Sequence, residues 1–388
     1  MEEITYEDIR KEIEGIYKKL NYLYGKANTK SKQRRLITTI GALDEICGED
    51  CLDFNIDNSH LIETLYMERK FFDYFDDVSY NLNFLRDLSL KVIHTYRKNN
   101  YPFYKRYKSR DYIPDDDMYK LIINFFHSFN DESIDKFIKK TGDNYYFEFP
   151  SDKIYEGALY ALPIFKKYIV HLNTSNKQDL FFATVTAHEM GHAYEKELFY
   201  NNAGTYLSDK YTDTIFFEVV SSFFEYAFIN YLNDNNYYPK EIKHEYDTYY
   251  LQLFNWAFNT YTVCLNGIDN MDRHYQISLD NKDKMDRIEK LKEMVNYYNG
   301  LPNYKEMISV LHSVIYFVGE ILAINLYDKY KDNPKEFMKN FRTVLVNYPR
   351  TGLFDSFEVV GITKDELLSG KVLKKELNKF IISDDRRG

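Results

Sequence analysis

The chain has 388 residues, 44% of them hydrophobic and 29% charged, with a net charge of −9. That balance describes a soluble globular chain and excludes an intrinsically disordered one. No concentrated basic run offsets the acidic total, which argues against nucleic acid as a partner, and no apolar stretch reaches the ~20 residues that a membrane helix requires.

The opening "MEEITYEDIRKEIEG" is acidic and amphipathic, unlike a signal peptide. The three cysteines, Cys47, Cys51 and Cys264, suit a reducing compartment, and "CGEDC" lacks the second pair that a structural zinc site needs. These features together predict a cytoplasmic protein. Aromatic residues reach 18%, which reads as a compositional bias, and "KSKQRR" at 31–36 reads as a solvated helix end.

Apolar spacing of three and four residues predicts helices over 5–25, 32–47, 58–99 and 115–140, broken by the turn-prone "YKSRDYIPDDD" at 107–117. The stretch 144–173, "NYYFEFPSDKIYEGALYALPIFKKYIVHLN", is rich in β-branched and aromatic residues and predicts two or three short strands, the last being "KYIVHLN". Helices are then expected at about 177–202, 211–233, 240–265, 283–298, 304–331 and 334–347. A loop over 347–366 and a last helix near 364–381 complete the chain. The expected architecture is mainly α, with a helical N-terminal region over 1–143 and a region over 144–388 that carries the small sheet and a helical lobe.

"TVTAHEMGHAYE", Thr184 to Glu195, places His188 and His192 four residues apart on one helix face. Two imidazoles so spaced can bind one zinc ion, and Glu189 beside the first can reach a metal-activated water as general base. The apolar flank "LFFATVTA" predicts a buried helix, where two histidines and a carboxylate would be costly without a partner. Glu195 stands seven residues beyond His188, too far along the helix to share its ion, so the third ligand is expected from a second helix. "DTIFFEVVSSFFEYAFINYL" at 213–232 offers Glu218 as ligand and Glu225, two turns on, as a hydrogen-bond partner of a ligating histidine.

"TVTAHEMGHAYE" followed by "FFEVVSSFFE" resembles the M3 family of zinc oligopeptidases, within it the oligoendopeptidase F branch. The motif residues of that family fall on His188, Glu189 and His192, and its downstream ligand on Glu218. The resemblance implies a two-lobed helical zincin with a peptide-admitting channel between the lobes. "YEGALYALPIFKKYIVHLN" looks like the strand segment that pairs with extended substrate, which implies substrate-binding roles for Gly157, Ile169 and His171 and β-addition of a peptide to the 168–173 strand. "YFVGEILA" and "NYPRTGLFDSFEVVGI" look like the closing helix and C-terminal turn, so the likeness runs from about 145 to 365, after an N-terminal part shorter than the family's usual one.

The family's oxyanion donors come from that late helix. Alignment on "YFVGE" puts Tyr316 on its last catalytic tyrosine, whereas its histidine falls near Tyr304, which leaves Tyr304 as a substrate-side residue. His312, four residues before Tyr316, is the other candidate donor. The implied activity is hydrolysis of internal bonds in short peptides with one zinc ion. Two alternatives stay open: a carboxypeptidase or dipeptidyl carboxypeptidase, with Arg342 or Arg350 binding the substrate carboxylate, and a peptide-binding protein without turnover.

Overall fold

Proline and glycine are scarce (8 and 15 residues), so few positions interrupt a helical backbone. The computed structural model describes residues 69–99, 115–141, 146–149, 157–162, 167–173, 179–203, 214–266, 304–347 and 353–385, with Ile113 and short pieces between 15 and 36. The elements in chain order are α1 (Arg69–Lys98), α2 (Asp115–His127), α3 (Glu132–Thr141), β1 (Tyr146–Phe149), β2 (Gly157–Leu162), β3 (Lys167–Asn173), α4 (Leu180–Ala203), α5 (Thr214–Asp234), α6 (Glu241–Asn266), α7 (Tyr304–Asp332), α8 (Pro334–Asn347), α9 (Leu353–Glu358), α10 (Lys364–Ser369) and α11 (Lys371–Asp385). The fold is mainly α with one small sheet before the motif helix, as the sequence predicts. No described helix is long and apolar enough to cross a membrane. The helix expected at 283–298, most of those at 5–25 and 32–47, and Cys47, Cys51 and Arg350 lie outside the described residues.

Local chemistry moves three expected boundaries. The helix expected over 115–140 divides into α2 and α3, because Asn130 takes a φ of 54° and Asp131 caps α3 by accepting from the Ser133 and Ile134 amides at 3.0 and 3.3 Å. The last helix breaks at Gly370, whose φ of 63° ends α10, and α11 runs on to Asp385. The expected loop over 347–366 contains α9 and the start of α10, which Thr363 caps by accepting from the Glu366 amide.

The sheet has strand order β1-β3-β2. β1 runs parallel to β3 with Tyr146 opposite Val170, and β2 runs antiparallel with Gly157 opposite Leu172. This arrangement corrects one expectation. The 168–173 strand is central, and Val170–Leu172 is paired on both sides, so that stretch has no edge to which a peptide could add. Among the described residues, β1 and β2 are the outer strands.

Contacts gather these elements into two compact units that interleave along the chain. In one, α4 packs against α2, α3, α8, β2 and β3. Phe137 and Tyr194 meet edge to face at 5.7 Å in its core. In the other, α7 packs against α5, α6 and α11, and α1 joins them through Tyr96, whose hydroxyl donates to the Tyr250 carbonyl at 2.8 Å. Its core holds the fully buried Tyr226, Tyr249 and Tyr250. Tyr226 donates to Glu376 at 3.1 Å and meets the Tyr250 hydroxyl at 2.9 Å, so these buried polar tips are paired.

Candidate metal centre

α4 begins at a cap. Asp179 accepts from the Phe182 amide at 3.0 Å, satisfying one of the donors that a helix start leaves open. The helix is buried almost all round, from Phe182 and Ala183 through Ala187, Met190, Ala193 and Tyr194. Its hydroxyls are satisfied locally: Thr184 donates to the Phe181 carbonyl at 2.7 Å and Thr186 to the Phe182 carbonyl at 2.8 Å. Those bonds are why two threonines can sit in an apolar helix with little cost.

His188 and His192 lie one turn apart on this helix, with ring centroids 5.0 Å apart and planes at 79°. Glu189 is 7% exposed, and Gly157 at the start of β2 abuts its side chain. On α5, Glu218 is half-buried in an otherwise apolar run, with Val219 and Val220 buried beside it. His188, His192 and Glu218 form a group able to hold a metal ion: each offers one ligand atom, and these atoms all lie within 4.8 Å of one another. Two imidazoles and one carboxylate are a donor set that catalytic zinc takes, so the residues present fit that ion.

The other expected site residues are distributed as follows. Glu225 is half-buried on α5 near Tyr249: burial, then the charges of Glu320 and Glu225, push that phenol well above its ordinary range. Tyr316 is half-buried on α7 and stacks on Trp256, with centroids 5.2 Å apart and planes at 21°. Tyr304 and His312 belong to α7, and Ile169 and His171 to β3, but their side chains lie outside the described part of the structure. Arg342, a candidate receptor for a substrate carboxylate, is bonded to Asp131 instead. Burial alone would raise the Asp131 carboxyl, but hydrogen bonds from Ser133 and the Arg342 charge outweigh it and hold the group below its usual range.

Three residues in contact with expected site residues escaped the sequence reading. Ser221, one turn beyond Glu218, has its hydroxyl 3.2 Å from the Glu218 carbonyl and 3.4 Å from Glu218 Oε2. Gly319 on α7 touches the Glu218 backbone. Trp256 supports the Tyr316 ring. A serine three residues past a carboxylate in an apolar helix was the one available signal, since i and i+3 face each other.

No protein-family model and no curated protein matches the sequence. Solved structures do. A candidate oligoendopeptidase F from Bacillus anthracis strain Ames superposes with a TM-score of 0.51 at 13% identity, over 92% of this chain and 63% of that one. A candidate peptidase from Chlamydophila abortus gives a TM-score of 0.50 at 14% identity, over 89% of this chain and 61% of that one. The chain thus spans less than two thirds of the length of either structure. At these identities the likeness lies in the fold: this chain has the helical fold of the solved oligoendopeptidase F-like peptidases, over nearly its whole length.

Proposed function

We propose that the protein is a zinc-dependent peptidase that hydrolyses internal bonds of short oligopeptides. The observation that carries this reading is the gathering of His188, His192 and Glu218 ligand atoms within 4.8 Å of one another, with the buried carboxylate of Glu189 one residue from the first histidine. The oligoendopeptidase F-like fold supports it.

His188, His192 and Glu218 would hold one zinc ion. When bound there, zinc supplies a Lewis acid that polarises a peptide carbonyl and lowers the pKa of a coordinated water. Glu189 takes the proton of the attacking water and hands it to the leaving amine, which is the work of a general acid–base. Its burial keeps competing bulk water off the carboxylate. Tyr316 or His312 donates a hydrogen bond to the oxygen on which charge develops. The stack on Trp256 restrains the Tyr316 ring, so little freedom is lost when its hydroxyl engages.

An extended peptide would pair with β2, an outer strand whose first residue abuts Glu189. Main-chain pairing fixes the peptide backbone and leaves side-chain choice loose. Gly157 therefore keeps a place on the substrate side of the reading, whereas Ile169 and His171 sit on the strand behind it.

The test is incubation of a mixed peptide library with the purified protein, with and without a chelator, read by mass spectrometry. Chelator-sensitive internal cuts are expected. Products trimmed only at their C-termini would make it an exopeptidase, and an intact library would leave a peptide-binding protein.

A further inference from the structure

Glu218 is held from two directions, and the two contacts act on different atoms. A Cβ added at Gly319 would lie 2.9 Å from the Glu218 carbonyl oxygen, 3.0 Å from its carbonyl carbon and 3.1 Å from Ser222 Oγ. The first two obstacles are backbone and cannot rotate away. α5 and α7 thus approach to backbone contact at the peptide unit of Glu218 itself. Glycine inside a helix costs about 1 kcal/mol relative to alanine, so its presence in the middle of α7 calls for such a reason.

The second contact is Ser221. The residue is fully buried, and its hydroxyl lies 3.2 Å from the Glu218 carbonyl and 3.4 Å from Glu218 Oε2. One hydroxyl proton is shared between two acceptors. The bond to the carboxylate is the stronger of the two in kind, because hydrogen bonds to a carboxylate oxygen are roughly twice as strong as those to a neutral carbonyl. A donor committed to Oε2 fixes the rotation of the carboxylate and directs Oε1 to a ligand.

We infer that Ser221 and Gly319 are positioning residues that together seat Glu218 for metal binding: Gly319 sets where the Glu218 backbone sits, and Ser221 sets which oxygen faces the ion. The inference rests on the reading of Glu218 as a ligand. Hydrogen-bond partners of ligating groups are worth about 10–100-fold in metal affinity, which sets the scale of the effect.

The experiment measures zinc dissociation constants by competition with a chromophoric chelator for the wild-type protein, Ser221→Ala, Gly319→Ala and Glu218→Ala. Cobalt(II) ligand-field spectra and melting of the metal-free proteins accompany it. Ser221→Ala is expected to weaken zinc binding by about tenfold or more, to shift the cobalt band, and to leave metal-free melting unchanged. Gly319→Ala is expected to weaken it further, because a backbone has to move. If Gly319→Ala does not fold, Ser221→Ala decides alone. Wild-type zinc affinity in both variants, with loss of zinc in Glu218→Ala, overturns the seat and leaves the ligand assignment standing. Wild-type affinity in Glu218→Ala, or no zinc binding by the wild-type protein, removes the ligand assignment and the seat with it.

Discussion

Gly157 faces the Glu189 side chain with no room for a side chain of its own: a Cβ at residue 157 would stand 3.2 Å from Glu189 Cγ and 3.3 Å from its Oε1. The same atom would lie 2.6 Å from Val185 Cγ1, one turn earlier on α4. The start of β2 therefore walls the carboxylate that we assign as general base, and the wall has this closeness only because residue 157 has no side chain.

Gly157→Ala should consequently slow turnover without loss of metal. The added methyl must displace Val185 or the strand, an overpacking worth about 1–3 kcal/mol in stability. Displacement of a catalytic group by a fraction of an ångström costs up to about 100-fold in rate. Zinc affinity should match wild type, because the three atoms nearest a Cβ at 157 belong to Val185 and Glu189 and not to either histidine or Glu218. Parallel measurement of kcat and of zinc affinity separates the two effects.

Glu189→Gln keeps the shape of the side chain and removes its basicity. Peptide cleavage should fall by about 10²–10⁴-fold with zinc retained. Full activity in this variant would discard Glu189 as the base.

Glu218→Ala and Glu225→Ala should rank differently in a zinc titration. The first removes a ligand and should abolish tight binding. The second lies two turns further along α5, near Tyr249 of α6, and should weaken binding by about tenfold at most. Equal loss in both variants would mean that Glu225 also contacts the ion.

The Asp131–Arg342 pair predicts a pH dependence of stability. The Asp131 carboxyl is held below its ordinary value of 3.8, so the folded form binds its proton less readily than the unfolded chain does. The stabilisation is therefore complete above that ordinary value and disappears as pH falls through the depressed one. Asp131→Asn keeps a capping oxygen but removes the charge paired with Arg342, so it should unfold more easily than wild type at neutral pH, by up to about 1 kcal/mol. The gap should close in acid. Chemical denaturation at neutral and acid pH measures both.

The buried tyrosines predict the opposite limb. Burial, then charges from neighbours such as Tyr250 and Glu376, push Tyr226 well above its ordinary value of 10.0, and burial does the same to Tyr246, Tyr249 and Tyr250. Groups raised in this way stabilise the fold fully below their unfolded value, and that contribution falls as pH rises above it. Tyrosinate absorbance should show these phenols ionising only as the protein unfolds in alkali. Ionisation without loss of helical circular dichroism would contradict their burial.

The sequence by itself determined what depends on neighbours in the chain. The i, i+4 spacing put His188 and His192 on one face, and apolar periodicity placed α4, α5 and α7 within a few residues of their observed bounds. The apolar run around Glu218 marked it as a carboxylate in need of a partner. The Gly370 break lies in local chemistry too, since its φ of 63° suits glycine, yet helical periodicity runs on across it. Tertiary structure alone decided the rest. Gly319 meets Glu218, 101 positions away in sequence (319 − 218), and Gly157 of β2 meets Glu189 of α4. β3 proved to be the central strand because β1 closes its second side, which no alternation of residues along β3 announces. A glycine that permits close approach and a strand with one edge or none look the same in a linear pattern. Contact between distant segments separates them, and burial energy selects that contact over the whole fold at once.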